Sequence, residues 1–362
     1  MKIVIFGLSI SSSWGNGHAT LWRGLTKALA RRGHNIVFYE KDTDYYRAHR
    51  DMTSTGACHL HIYSDWVSVR SQARRDLADA DVGMVTSYCP DGIAAGEEVC
   101  DSGCASAFYD LDTPITLLTW EREGNVPYIG PRRLADFDIV FSYTGGTALS
   151  RLKDDLGARR VVPLYGSADP ECHVPLPVEK QARLSYLGTY APDRQDKVDR
   201  FFIGAARQRP QCAFTLGGAQ YPANFPWTSN IYFWRHVAPG DHPAFYCSSR
   251  LTLNVTRASM AALGYCPAGR LFEAAACGVP VVTDTWCGLE HFFQPGSEIL
   301  PAATTDDVLA AMDLTDRELM AIGHRARERT LAQHTADQRA AELEVALEGL
   351  RATVSQQGQV TH

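Results

Sequence analysis

The chain has 362 residues, enough for two domains of ordinary size, and its 45% hydrophobic and 21% charged residues make a soluble globular composition. A net charge of −6 argues against a protein that coats DNA or an anionic membrane, and no nucleic-acid signature is present. No apolar stretch approaches the ~18 residues of a membrane span, and the ten cysteines contain no C-x-x-C pair, so they read as reduced thiols of a cytoplasmic protein.

Residues 2–8 (KIVIFGL) are short, apolar and β-branched. They read as a buried parallel strand rather than a signal peptide. A polar loop, Ser9 to Gly17, leads into a helix predicted over 19–32. Leu21, Leu25, Ala28 and Leu29 line one face of it; Arg23, Lys27 and Arg31 line the other. Gly33 ends this helix, and Asn35 to Glu40 form a second strand. The result is a βαβ opening with a right-handed crossover. Gly15-Asn16-Gly17 and an acidic Glu40 invite a dinucleotide-binding reading, but the third glycine position is Thr20 and the loop is too wide for a tight phosphate turn. A wide loop ending in His18 better suits one that reaches over a cleft toward a second substrate.

Further strands are predicted at 60–63, 82–86, 106–111, 137–143 and 161–165, with helices at 69–80, 91–102 and up to Leu156. The strand at 106–111 runs into Tyr109-Asp110-Leu111-Asp112-Thr113-Pro114. Ligand groups gather at the carboxyl ends of strands in open α/β sheets, which gives Asp110 and Asp112 weight. Asp112 reads equally as a turn or N-cap residue before Pro114.

Residues 166–180 (GSADPECHVPLPVEK) form a Pro-rich polar linker. A second α/β half follows, with strands at 184–188, 213–216, 231–234 and 252–256, helices at 196–209 and 245–250, and helical sequence over 306–350. Leu343, Leu347 and Leu350 share a stripe too short for a coiled coil, so it packs within the fold; the tail after Arg351 is polar and expected to be mobile. Between Gly264 and Pro301 lies a turn, helix, strand and turn. A helix N-terminus there suits a phosphate, and Glu273, one turn after Arg270, could hold ribose hydroxyls. The alternative is an ordinary α/β crossover with an ion pair at the helix start.

The run Arg270-Leu-Phe-Glu-Ala-Ala-Ala-Cys-Gly-Val-Pro-Val-Val-Thr283, continued by Gly288-Leu-Glu290-His-Phe-Phe-Gln-Pro-Gly-Ser-Glu-Ile299, resembles the donor-binding segment of group 1 glycosyltransferases with the GT-B fold. More closely, the chain resembles the CgeB-like, spore-maturation-type branch. Features of that branch recur at His18-Ala-Thr-Leu-Trp-Arg-Gly-Leu25, Tyr109-Asp-Leu-Asp-Thr-Pro114, Tyr143-Thr-Gly-Gly146, Pro163-Leu-Tyr-Gly-Ser-Ala-Asp169 and Tyr186-Leu-Gly-Thr189. The resemblance spans roughly residues 1–345 and implies two facing Rossmann-like domains. The expected division is an acceptor-binding domain at 1–175 and a nucleotide-sugar-binding domain at 176–345, whose final helix is free to pack back on the first, then a flexible tail at 352–362.

The resemblance implies a glycosyltransferase that moves a sugar from a nucleotide-sugar to an unidentified acceptor. It implies pyrophosphate contacts from Gly188, Thr189, Arg257 and the turn of Tyr265, Gly269 and Arg270. Glu273 would hold the ribose, and Gly288 with Glu290 would meet the sugar or nucleotide. No cofactor and no metal are expected. The leaving phosphate charge is met by cations and amides already in place. Asp110-Leu111-Asp112 has the spacing of a metal-binding D-x-D, but in the acceptor half. One departure is clear: the group 1 pattern is Glu-x7-Glu, and the first position here is Tyr265. Donor sugar and stereochemistry therefore stay open.

His18, at the start of a helix, is the leading general base, with Asp112 beside it as the second catalytic residue. The plainer reading has His18 hydrogen-bond its own loop. His173 lies in the linker and His34 at a helix end; Trp14 and Trp22 could stack an acceptor or sit in the core. Two rival functions remain: a nucleotide-sugar isomerase or phosphorylase on the same fold, and a non-catalytic nucleotide-sugar-binding module. Oligomeric state is left open.

Overall fold

The computed structural model describes residues 1–54 and 56–358, and from 351 onward the main chain only. The chain divides into two units: Met1–Tyr165 with Asp337–His362, and Gly166–Ala336. The segment 166–175, expected at the end of the first domain, lies with the second, because Ala168 pairs with Thr335 there.

In the first unit, strands β1 (Lys2–Gly7), β2 (Asn35–Lys41), β3 (His59–Tyr63), β4 (Val82–Thr86), β5 (Ala105–Asp110), β6 (Ile139–Ser142) and β7 (Val161–Pro163) form one sheet. Their order is β3-β2-β1-β4-β5-β6-β7, and every pairing is parallel. Strands covered on both faces must be apolar throughout, and β1 shows this: Ile3, Val4, Ile5 and Phe6 are all buried. Burial of each such side chain is worth about 1.5–3 kcal/mol. The strand order reverses between β1 and β4, so the loops after these strands open a crevice at the carboxyl edge of the sheet.

The helix Ala336–Gly358 belongs to this first unit. Leu343 and Leu347 are buried, and Arg31 pairs with Asp337 and Arg32 with Glu344. His34 also lies 3.2 Å from Glu344, a helix-end role. The segment expected to be a tail is helical as far as Gly358; residues 359–362 lie outside the described ones. The helix Thr113–Glu123 had no counterpart in the sequence reading. Pro114 sits in its first turn, where proline is tolerated and preorganised, so a residue that reads as a breaker begins a helix.

The second unit holds β8 (Ala182–Leu187), β9 (Phe214–Gly217), β10 (Ile231–Trp234), β11 (Ser249–Asn254), β12 (Val281–Asp284) and β13 (Leu300–Ala302). Their order is β10-β9-β8-β11-β12-β13, again parallel throughout, with the reversal between β8 and β11. Its core gathers Leu184, Tyr186, Phe201, Phe202, Phe214, Leu251 and Val282. The helix predicted at 196–209 is one continuous run from Pro192 to Gln208 with a π-turn at Asp199–Ile203. Its earlier start brings Arg194 into the fold.

Candidate active site

The first group of functional side chains lies at the carboxyl edge of the first sheet. Asn16 caps the helix Gly17–Arg31: its side-chain oxygen accepts from the His18 amide at 3.0 Å, and its NH₂ donates to the carbonyls of Ser9 and Ser12 at 3.1 Å each. This cap pins the wide loop and fixes where the His18 ring points. His18 Nε2 lies 2.8 Å from Asp112 Oδ2. A carboxylate accepts, so Nε2 carries the proton and Nδ1 the lone pair. Nδ1 is buried and has no hydrogen-bond partner among the described residues. Asp112 stands at the N-cap of the helix Thr113–Glu123 but makes no capping hydrogen bond with its side chain, which serves His18 instead.

Asp110 is wholly buried. Its Oδ1 accepts from the Asp112 amide at 3.2 Å and from Thr116 Oγ1 at 2.9 Å. Burial, and then the neighbouring Asp112 charge, push its pKa up to about 7. Glu40, the residue behind the dinucleotide reading, is also fully buried, and accepts from the Ile10 and Ser11 amides and the Ser11 hydroxyl. Its carboxylate anchors the loop and is not open to a ribose. Trp22 is core, packed edge-on against Phe38 and Tyr109, while Trp14 stacks on His49 at 4.1 Å. The structure adds Tyr88, which the sequence reading passed over. It sits just after β4 with φ 61°, edge-on to His18 at 6.0 Å. Positive φ is costly for a bulky residue and clusters at functional sites.

The second group lies at the reversal point of the second sheet. Gly188 follows β8, and its carbonyl accepts from Tyr221 OH at 2.8 Å. Gly218, at φ 149°, approaches so closely that a Cβ there would lie 2.0 Å from the Gly188 oxygen, so only glycine fits. A Cβ on Gly188 would lie 3.2 Å from Arg194 NH2 and 3.3 Å from Arg270 NH2. Two guanidinium groups thus converge on this turn. Arg194 is buried and donates to the Thr189 carbonyl; Arg270 donates to Asn254 Oδ1 at 3.2 Å. Neither forms an ion pair with a carboxylate among the described residues. Burial lowers the Arg194 pKa, with Arg270 and Arg257 pushing the same way.

Arg257, by contrast, is occupied by Asp193 at 3.0 Å, so the cation placed beside Arg270 is Arg194. The signal for Arg194 was hidden in a charged run, PDRQDK, that reads as a solvated surface.

Glu273 sits on the helix Gly269–Ala276 and is buried. Its Oε2 accepts from His242 Nδ1 at 3.1 Å and from Tyr246 OH at 3.2 Å, two residues one turn apart on the helix His242–Cys247. Burial pushes the Glu273 pKa up, but the field and hydrogen bond of His242 outweigh it and hold the carboxyl at about 2. Oε1 has no partner among the described residues, leaving one acceptor for a ligand hydroxyl. Tyr265, at φ 46°, donates its amide to the Cys287 carbonyl at 2.7 Å. Its ring lies over Gly288, at φ 91°, where a Cβ would lie 2.6 Å from the ring. Gly269 begins the Glu273 helix, and Glu290 stands exposed on the helix Leu289–Phe292.

Among the described residues, His173, His242 and Glu273 are the group close enough to hold a metal, their ligand atoms lying within 4.8 Å of one another. The tautomer of His173 opposes this. Its Nδ1 accepts the Asp169 amide at 3.1 Å, so the proton sits on Nε2 and offers a donor instead of a lone pair. A metal-bound histidine shows the reverse, donating its other N–H outward.

Residues 194–345 match the family described as glycosyl transferase-like. No curated protein matches the chain at the level of sequence. Among solved structures, sucrose-phosphate synthase from Thermosynechococcus elongatus superposes with a TM-score of 0.70 at 12% identity, over 98% of this chain and 100% of that one. Anabaena HepE, in complex with UDP and glucose, gives 0.71 at 11% identity, over 96% and 99%. T4 phage BGT, in complex with UDP-glucose, gives 0.62 at 14%, over 97% and 99%. No helix among the described residues is long and apolar enough to cross a membrane. The chain is built on the GT-B glycosyltransferase fold, with a glycosyl transferase-like domain in its second half.

Proposed function

We propose that the protein is a glycosyltransferase of the CgeB-like branch that moves a sugar from a nucleoside-diphosphate sugar to a hydroxyl acceptor without a metal. The observation that carries this reading is the convergence of Arg194 and Arg270 on Gly188 without a carboxylate partner. A buried guanidinium costs several kcal/mol unless an anion meets it, and a diphosphate supplies that anion. Glu273 Oε1 then accepts from a ribose hydroxyl, and the backbone around Tyr265, Gly269 and Gly288 lines the remainder of the donor. The solved neighbours that hold UDP or UDP-glucose support a uridine nucleotide as the first donor to try.

The His18–Asp112 pair supplies the base. Asp112 orients the ring, and Nδ1 takes the proton of the acceptor hydroxyl. As the acceptor oxygen bonds to the anomeric carbon, the bond to the β-phosphate oxygen breaks, and the diphosphate leaves with the electron pair. Arg194 and Arg270 meet the charge that develops. A base acting on the incoming hydroxyl favours a single displacement, with inversion at the anomeric carbon. An isomerase or phosphorylase would need no such base for a separate acceptor.

The test is release of nucleoside diphosphate from a panel of nucleotide-sugars, with and without candidate acceptors. Release that depends on acceptor supports the reading. Donor binding without release under any condition would reduce the protein to a binding module.

A further inference from the structure

Behind the His18–Asp112 pair stands a carboxyl group that the reaction above does not use. Asp110 is fully buried at the end of β5. The groups that face it are few. From its own loop, the Asp112 amide donates to Oδ1; from the helix Thr113–Glu123, Thr116 Oγ1 donates to the same oxygen. Thr116 in turn bonds Tyr128 OH at 2.7 Å, and Thr113 Oγ1 reaches the Asp110 carbonyl at 3.3 Å. The titratable neighbours are Asp112, Tyr128 and the adjacent Tyr109. No lysine or arginine bonds Asp110 among the described residues, and Oδ2 has no partner there.

We infer that Asp110 is a positioning residue that carries a proton in the working enzyme, so that the His18–Asp112 pair holds a single negative charge. This rests on the general-base reading of that pair. The physical case is a comparison of two states. An ionised Asp110 would place a second carboxylate two residues from Asp112, in a dry site with only neutral donors on one oxygen. A neutral Asp110 leaves one O–H unpaired, which costs about 1–3 kcal/mol; an ionised, unpaired carboxylate costs more. Like charges this close do not both ionise at neutral pH. The group that must be ionised is Asp112, because it faces the imidazole; the group that yields is Asp110.

The neutral carboxyl keeps its Oδ1 as acceptor for the Asp112 amide, so it holds the turn that aims Asp112 at His18. When pH rises and Asp110 ionises, a second negative charge enters beside the pair and perturbs both the Asp112 geometry and the field at His18. Asp110→Asn copies the neutral state permanently, with the amide oxygen in the place of Oδ1.

The experiment has a spectroscopic arm and a kinetic arm. In the full-length protein labelled with ¹³C at aspartate carboxyls, Asp110 should titrate near pH 7, and the Asp112 amide resonance should move with it. The amide movement should vanish in Asp110→Asn. If turnover is found, the wild type should lose activity on the alkaline side of about pH 7 and the Asn variant should not. A structural role alone would not move that pH limb. Should the variant fold poorly, the wild-type carboxyl titration decides the matter. An Asp110 carboxyl titrating in the ordinary range below pH 5 overturns the inference, as does an Asp112 amide indifferent to pH between 6 and 8. Absence of diphosphate release by the wild type would sink the glycosyl-transfer reading and leave the titration result standing as its own answer.

Discussion

Glu273 offers a prediction whose magnitude follows from its surroundings. Its carboxyl is held at about 2, against 4.5 for an unperturbed glutamate. At about 1.4 kcal/mol per pH unit, that difference corresponds to about 3 kcal/mol of folding free energy. The folded-state pKa is depressed, so this stabilisation is fully present above pH 4.5 and is lost as pH falls through 2. Glu273→Gln keeps an acceptor for Tyr246 and His242 but removes the charge. The variant should therefore be less stable than wild type by about 3 kcal/mol at pH 7, with about 1.4 kcal/mol of that gap gone at pH 3.5. Urea unfolding of the full chain at pH 7, 5.5, 4.5 and 3.5 measures it, with Trp227, Trp234 and Trp286 as reporters in the second unit. A gap that is constant across this range, or absent at pH 7, would refute the account of a charge locked by His242. Donor binding is a separate readout. Loss of one charged hydrogen bond to a ribose hydroxyl should weaken nucleotide-sugar binding about ten- to a hundred-fold, by calorimetry at pH 7 on folded variant. Unchanged affinity would remove the hydroxyl from Glu273 Oε1 without touching the stability argument.

Other predictions follow from the same geometry. Arg194→Met should weaken UDP binding at least ten-fold while leaving the ligand-free protein no less stable, since it removes a buried cation that lacks an anionic partner; lower ligand-free stability with intact binding would count against the clamp. Arg257→Met should affect UDP far less, because Arg257 is already paired with Asp193; an equal loss would restore Arg257 to the phosphate site. Diphosphate release should survive a chelator, and complete loss reversed by Mg²⁺ or Mn²⁺ would overturn the arginine clamp as the answer to phosphate charge. His18→Ala should cut turnover by about 10²–10⁴-fold and spare donor affinity. Near-normal turnover across pH 6 to 8, or a drop explained wholly by lost folded protein, would end the general-base assignment.

The alternation of apolar strands with amphipathic helices made both sheets legible, because a strand covered on two faces has to be apolar along its length. Within the candidate site, legibility depended on distance along the chain. His18 stood out because Asn16 and the glycines around it mark a helix start. Arg270 and Glu273 stood out because they are one turn apart. The partners of Glu273 did not: His242 is 31 residues away, and nothing local to either marks the contact. Asp112 was visible as an acidic residue after a strand, yet its bond to His18 spans 94 residues. The helix at Thr113 was lost to Pro114, which signals a break and a first helical turn with equal force.

Arg194 and Asp110 share a property that sequence pattern cannot express. Each is a buried ionisable group without the opposite charge that would normally accompany it there. Compare Glu40, equally buried, whose carboxylate takes three hydrogen bonds from its own loop, or Glu273, paired with His242. Those two groups are satisfied by the fold itself. Packing alone would favour a methionine at position 194 and an apolar side chain at position 110, since isosteric apolar residues commonly stabilise such places. That the chain carries charge-bearing groups there, one at the reversal point of each sheet or beside it, fits a protein whose sites are completed by what enters them. A diphosphate completes the first, and a retained proton completes the second. The two unpaired groups thus point to one chemistry, in which negative charge is gathered at Gly188 and limited at Asp112.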